Sequence, residues 1–261
     1  PAIDTLFVSA LGKTTGRTRL GLIDTLGRRR AAAAVAGLSR LLKDSDAATV
    51  AAAARALGDI ANAAAVAALH AVPEPSVAPI AAAKLAAAPR MPPAAALTLL
   101  RELEKNARSS AHRTAAFRLS LQIEVGAAAG RIATAISGND WAFKQVALEA
   151  IAKSTSPNLV ATLSSQFAKW DAPTQAGVIA ALARRPDPAA LPAIVAAAAH
   201  ADAEVRRAAF SALGFFPGNR DIVALLAKAI ATTTGEESRT AKQSLARLHG
   251  PDVNAAIVLG R

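Results

Sequence analysis

The chain has 261 residues, more than a quarter of them alanine, and carries 30 basic against 19 acidic side chains, a formal charge of +11. It has no cysteine, which excludes disulfides, thiolate chemistry and cysteine metal sites and leaves the compartment undetermined. Lysine or arginine interrupts its apolar stretches everywhere, so none reaches the roughly 18 consecutive apolar residues of a membrane span, and none reads as a secretory leader.

Taken in chain order, the elements return about every 31 residues. Ala2–Leu11 reads as the second helix of a hairpin whose first helix lies upstream, and Val258-Leu259-Gly260-Arg261 stops part way through another. The chain is therefore expected to be a piece of a longer protein. Apolar residues closing the first helices are Leu26, Leu57, Leu85, Leu119, Ile151, Leu182, Leu213 and Leu245, at gaps of 31, 28, 34, 32, 31, 31 and 32. One helical turn before them, on the same face, stand Leu22, Ala53, Ala81, Ala115, Ala147, Val178, Ala209 and Ala241. The alanines among them let helix backbones approach closely.

Nine residues after each anchor come Val35, Val66, Ala94, Ala128, Val160, Leu191, Ile222 and Asn254; twelve after come Leu38, Leu69, Leu97, Arg131, Leu163, Ile194, Leu225 and Ile257. These rows mark the inner face of a second helix. Arg131 breaks the rule, which places an insertion near Leu121–Gly130 and moves that core to Ile132 and Ile136. Asn254 breaks it where the array is ending.

Gly27, Gly58, Pro89, Gly126, Pro157, Pro186–Pro188, Pro217-Gly218 and Gly250-Pro251 are read as turns within hairpins. Asp44-Ser45-Asp46, Ser109-Ser110, Asn139-Asp140, Asp171 and Asp202 are read as N-caps of the next first helix. No stretch has the alternation of a strand. The expectation is sixteen or so helices of about 9–15 residues and no sheet.

Leu42-Lys43-Asp44-Ser45-Asp46 followed by Arg55-Ala56-Leu57-Gly58-Asp59-Ile60 resembles the HEAT repeat family, most closely the short subtype of phycobilisome-lyase-like proteins. Asp202-Ala203-Glu204-Val205-Arg206-Arg207-Ala208-Ala209, ending Ala212-Leu213-Gly214, is a second clear copy. The resemblance covers nearly the whole chain. It implies an all-α, right-handed solenoid of about eight stacked hairpins, with residues 1–261 as a single array. It says little about function, because the family serves many unrelated partners.

Functional candidates are sparse. Residues 1–43 hold eight basic and two acidic residues, and Arg28-Arg29-Arg30 is the densest cluster. It is a candidate contact for an anionic partner, against the plainer reading of a solvated turn that keeps an alanine-rich array in solution. In HEAT-like arrays the second helices line the inner, concave surface. The cations there, Arg40, Lys43, Arg101, Lys105, Lys169 and Lys228, are candidate partner contacts, or helix ends complementing the dipole. Seven residues before an anchor stand Arg19, Lys144 and Arg206, with Gln175 and Ser238 at the same place in other repeats. The resemblance implies that the basic ones brace turns between neighbouring repeats through an aspartate.

Asp140-Trp141 and Trp170-Asp171 are candidates through the resemblance, because HEAT-like folds include alkylpurine DNA glycosylases, which use a basic concave face, tryptophans and a catalytic aspartate. Packing explains the pair more simply, since the chain has no tyrosine and few phenylalanines for a base-stacking cleft. His70, His112, His200 and His249 have no metal-ligand spacing. Gly12-Lys13-Thr14 lacks the earlier glycine of a phosphate loop, Phe7 standing in its place. Glu102 and Glu104 are two apart and cannot converge on one helix. No nucleophile–base pair and no cofactor pattern emerges. The expected function is a non-catalytic scaffold that binds a protein partner, or a neighbouring domain of its own chain, through the concave surface. Nucleic-acid binding is the alternative, and a glycosylase or lyase a more distant one.

Overall fold

Four aspartates of the expected inter-repeat turns start helices. Asp46 accepts from the N–H groups of Ala48 and Thr49 and from Thr49 Oγ1. Asp140 accepts from Ala142 and Phe143, Asp171 from Thr174, and Asp202 from Glu204 and Val205. Each occupies backbone donors that the first turn of a helix leaves open. Ser109 also precedes a helix but makes no side-chain cap.

The structure, a computed structural model, describes residues 2–73, 76–156 and 158–248. Pro157, His249, Gly250-Pro251, Asn254, Ile257 and Val258-Leu259-Gly260-Arg261 lie outside the described residues. The chain forms two compact units, Pro1–Glu124 and Val125–Arg261. Unit 1 holds α1 (Ala2–Leu11), α2 (Gly16–Arg28), α3 (Val35–Leu41), α4 (Ala47–Ile60), α5 (Ala63–His70), α6 (Ala78–Ala87), α7 (Pro93–Asn106) and α8 (Ser110–Ile123). Unit 2 holds α9 (Val125–Ser137), α10 (Trp141–Ile151), α11 (Leu159–Gln166), α12 (Ala172–Ala183), α13 (Leu191–Ala197), α14 (Ala203–Leu213), α15 (Arg220–Thr232) and α16 (Gly235–Arg247). The described residues contain no strand. The fold is all-helical, as expected.

In unit 1 the even-numbered helices α2, α4 and α6 lie side by side; in unit 2 so do α10, α12, α14 and α16. The odd-numbered helices form a second layer, and each packs chiefly on the first helix that follows it, except α5, which packs more on α4, and α11, which packs on α9. Several are shorter than expected: α3 and α13 have 7 residues, α5 and α11 have 8. Single 3-10 turns at Ala32–Ala34, Phe167–Lys169 and Pro188–Ala190 take up the rest of three of these segments, the last two beside a Trp turn and a pair of prolines.

Gly27 and Gly58 do not form turns. They lie inside α2 and α4, where neighbouring first helices approach most closely. A β-carbon on Gly27 would stand 2.8 Å from Ala56 Cα, and one on Gly58 would stand 2.9 Å from Ala83 O. The sequence shows only that glycine is present; here its lack of a side chain matters, not its freedom in a turn. Gly126 also falls within a helix, the first turn of α9, because a single residue, Glu124, joins α8 to α9. The extra length of the fourth repeat is absorbed by helix rather than by loop. Ile132 and Ile136 are fully buried in α9, where the shifted core was expected.

The anchor register holds at Leu26, Leu57, Ile151 and Leu213, all fully buried, and at Leu182. It slips by one residue elsewhere. Leu85, Leu119 and Leu245 are half-buried, while Lys84, Ser120 and Ser244 beside them are fully buried. Lys84 Nζ donates to Val72 O at 2.8 Å, and Ser120 Oγ donates to Glu104 Oε1 at 2.6 Å. Those bonds offset the cost of placing polar atoms in a core. In α6, alanine on most faces gave the hydrophobic pattern little contrast from which to read the phase. The second-helix row slips with it: in α7, Ala94 is exposed and Leu97 half-buried, and Ala96, Leu99, Leu100 and Leu103 form the core. Leu159 and Leu226 are likewise buried more fully than Val160 and Leu225.

Candidate functional site

The position seven before the anchor is a brace between repeats, although an aspartate is the partner only for Arg19, with Thr174 and Glu237 in that place for Lys144 and Arg206. Arg19 donates to Thr14 O and, at 3.3 Å, to Asp44 Oδ2 in the turn before α4. Lys144 Nζ donates to Thr174 Oγ1 at 3.2 Å, 30 residues on. Arg206 binds both Glu237 oxygens, 31 residues on, and its Nη1 donates to His200 O and Ala201 O. Glu237 raises the Arg206 pKa further through that hydrogen bond. Gln175 Nε2 and Ser238 Oγ donate to Phe167 O and Ile230 O, closing the same turn locally. Other side chains repeat this reach: Arg90 Nη1 to Gly58 O, Arg185 Nη1 to Ser154 O, and Trp170 Nε1 to Ser137 Oγ, at separations of 32, 31 and 33. The repeat period reappears as the span of its hydrogen bonds.

The expected partner contacts do not form one cluster. Arg28 Nε pairs with Asp24 at 2.8 Å, and Arg29 Nε with Asp4 at 2.6 Å, which holds the Asp4 carboxyl below its usual pKa. Arg30 has a left-handed backbone, φ 50°, and its N–H closes the end of α2 on Gly27 O. Two of the three arginines thus meet carboxylates of their own unit. Arg101 Nη2 contacts both Glu124 oxygens, at 2.8 and 2.7 Å. Arg40 on α3 and Lys105 on α7 are exposed, as is Lys43 just beyond α3. In unit 2, Lys169 beyond α11 and Lys228 on α15 are exposed.

Unit 1 has a groove of about 820 Å³ between α5 and the start of α7. Ala63, Val66 and Ala67 line one wall; Met91, Pro92 and Ala95 line the other. Arg90 and His70 are its titratable lining groups. Arg90 is anchored by Nη1 on Gly58 O at 2.9 Å, and His70 Nδ1 lies 3.6 Å from Glu102 Oε2. Glu102 and Glu104 serve different helices, as their spacing requires: Glu102 faces α5 and Glu104 receives Ser120 of α8. Sequence reasoning missed this groove because alanine carries no functional signal. Its one trace was the departure from the 31-residue period, since it opens where repeats two and three meet at the shortened gap.

The two tryptophans part company. Trp170 is buried, hydrogen-bonded to Ser137 and edge-on to Phe167, whereas Trp141 is 68% exposed. Asp140 and Asp171 are helix caps. The Thr174 hydroxyl, ahead of its backbone N–H, holds Asp171 below its ordinary pKa, which makes it a weak base. Among the described residues, no three His, Asp or Glu side chains gather where they could hold a metal. No described helix is long and apolar enough to cross a membrane.

Stacked helical pairs tied by side chains one period apart define a helical-repeat protein. The sequence profile of HEAT repeats matches residues 3–72 and 160–246. The chain belongs to the HEAT repeat family. None of the curated proteins compared with it matches. Among solved structures, it is similar to human deoxyhypusine hydroxylase in complex with glycerol, with 17% identity, 94% of this chain and 97% of that one covered, and a TM-score of 0.40. It is also similar to the complex of CpcE and CpcF of phycocyanin lyase from Nostoc sp., with 19% identity, 98% and 92% covered, and a TM-score of 0.33. A computationally designed armadillo repeat protein for modular peptide recognition shares 17% identity over 94% of this chain and 99% of that one, with a TM-score of 0.31.

Proposed function

We propose that the chain is a non-catalytic HEAT-repeat scaffold that binds a protein partner on the face formed by its second helices. The observation that supports this reading is the groove of about 820 Å³ in unit 1, whose lining is mostly alanine, valine, methionine and proline. A groove of that size and character accepts apolar side chains of a peptide segment, while Arg90 and His70 orient polar groups beside them. Arg40, Lys43, Arg101 and Lys105 are the cations this reading assigns to that face in unit 1, and Lys169 and Lys228 those it assigns to the second helices of unit 2. The Arg28-Arg29-Arg30 cluster is assigned a lesser part, because Arg28 and Arg29 already meet Asp24 and Asp4.

The aspartates considered for glycosylase chemistry cap helices, and the nucleic-acid alternative rests on net charge alone. A test selects displayed peptides against the whole chain and repeats the binding with Ala67→Trp, which fills the groove from an exposed position. Loss of binding by about tenfold or more supports the reading. Peptides that bind the variant equally well, or a selection that yields none, remove the groove from it.

A further inference from the structure

Two adjacent-arginine pairs in unit 2 divide their work in the same way. In Arg184-Arg185, Arg185 binds Ser154 O and Asp187. In Arg206-Arg207, Arg206 binds Glu237 and two carbonyls. The side chains of their neighbours Arg184 and Arg207 are exposed and have no hydrogen bond or ion pair among the described residues. Both instead line a groove of about 670 Å³ over α12, α14 and α16. That is the first-helix face, separate from the second-helix face of the proposed function.

The groove has a third unusual member. Phe215, at the end of α14, lines it and is 53% exposed, and Arg247 of α16 lies 5.3 Å from its ring centroid. An exposed aromatic flanked by cations is the composition of interface anchors, where Phe and Arg are enriched and lysine is depleted. Ala176, Ala180 and Ala208 also line it, and their small side chains leave room for a second backbone to approach.

We propose that this groove is a docking site for an acidic amphipathic helix of a protein partner. Its aliphatic stripe lies against the small residues and Phe215, and its Asp or Glu side chains meet the Arg184 and Arg207 guanidiniums, whose planar donor forks match carboxylates. A nucleic acid fits less well. The alanine and glycine lining accepts an aliphatic stripe and offers nothing to a phosphate backbone, and Glu204, also in the groove, leaves Arg184 and Arg207 as the positions for a partner's carboxylates.

The test is a selection of displayed helical peptides against the whole chain, followed by titration of the enriched peptides with wild type and with the Arg184→Glu/Arg207→Glu variant. Both positions are exposed and unpaired, so the variant keeps the wild-type circular dichroism. The expected peptides are acidic with an aliphatic stripe, and they lose about tenfold or more in affinity to the charge-reversed variant. They bind Ala67→Trp normally, which separates this site from the second-helix groove. Three results overturn the proposal: no acidic peptide is enriched, charge reversal leaves binding unchanged, or a single-stranded oligonucleotide competes with the same arginine dependence.

Discussion

Arg206 on α14 holds Glu237 on α16 with two hydrogen bonds, Nε to Oε1 at 2.8 Å and Nη2 to Oε2 at 3.1 Å. Both side chains are largely shielded, at 25% and 18% exposure, and the same guanidinium also bridges the carbonyls of His200 and Ala201. One residue therefore ties a turn to the next repeat. Arg206→Ala is expected to lower the unfolding free energy by about 1–3 kcal/mol in urea denaturation, because carbonyls and a carboxylate lose their donor together. Arg206→Lys recovers only part of this, since an ammonium cannot reproduce the two-pronged contact. Equal stability of the alanine variant and wild type rules out the brace.

The glycines of α2 offer a matched pair. Gly21 has open space where a β-carbon would go, whereas Gly27 faces Ala56 at 2.8 Å. Gly21→Ala is expected to stabilise the chain by about 0.5–1 kcal/mol through helix propensity alone. Gly27→Ala is expected to destabilise it by about 1–3 kcal/mol, as overpacking outweighs the same gain. Thermal and urea unfolding of the two variants measure the difference, and a shift of the same sign in both contradicts the close approach of α2 and α4.

The slipped register of the third repeat is testable against a regular one. Leu213 is fully buried, so Leu213→Ala is expected to cost about 2–5 kcal/mol. Leu85, half-buried, is expected to cost clearly less when cut to alanine. Lys84→Ala, by contrast, opens a cavity and leaves Val72 O without its donor. The order Leu213, Lys84, Leu85 from most to least damaging is the expected result in chemical denaturation, and a Leu85 effect above that of Lys84 restores the unslipped register.

Two caps give the stability a pH dependence. The Thr49 hydroxyl first, then the Ala48 and Thr49 N–H groups, hold Asp46 below the ordinary carboxylate value, and the Thr174 hydroxyl does so for Asp171. A carboxyl lowered on folding contributes fully above its unfolded pKa, about 3.9, and loses that contribution as the pH falls through the lower folded value. Asp46→Asn with Asp171→Asn keeps a capping side chain and removes the titration. The double variant should lose less stability than wild type as the pH drops from about 5 to about 2, followed by urea midpoints. Parallel curves refute a titrating role for the caps.

The repeat period, the helical class and the aspartate caps at 46, 140, 171 and 202 were legible in the chain order of residues, and the family resemblance added the braces at Arg19, Lys144 and Arg206. Each is a local or periodic property: a cap acts within one turn, and a brace recurs at a fixed phase. The candidate cations were legible only as charge. Whether Arg29 is free or meets Asp4, 25 residues away, is decided by which turn lies beside which helix. The same holds for the Arg184 and Arg207 groove, since their sequence neighbours Arg185 and Arg206 look identical to them until the helices are placed.

Sequence by itself determined that alternating helices of this period must stack, because no single amphipathic helix so rich in alanine buries enough apolar surface alone. Only the tertiary structure decided the phase of the third and fourth repeats, where Lys84 and Ser120 rather than Leu85 and Leu119 fill the core. The reason is physical: in the alanine-rich α6 every face is nearly equally apolar, so its hydrophobic pattern is almost flat, and in α8 the adjacent Leu119, Ser120 and Leu121 leave two apolar residues one position either side of the inward one. The fit of one helix against the next, set by positions such as Gly58 against Ala83, then selects which residue turns inward.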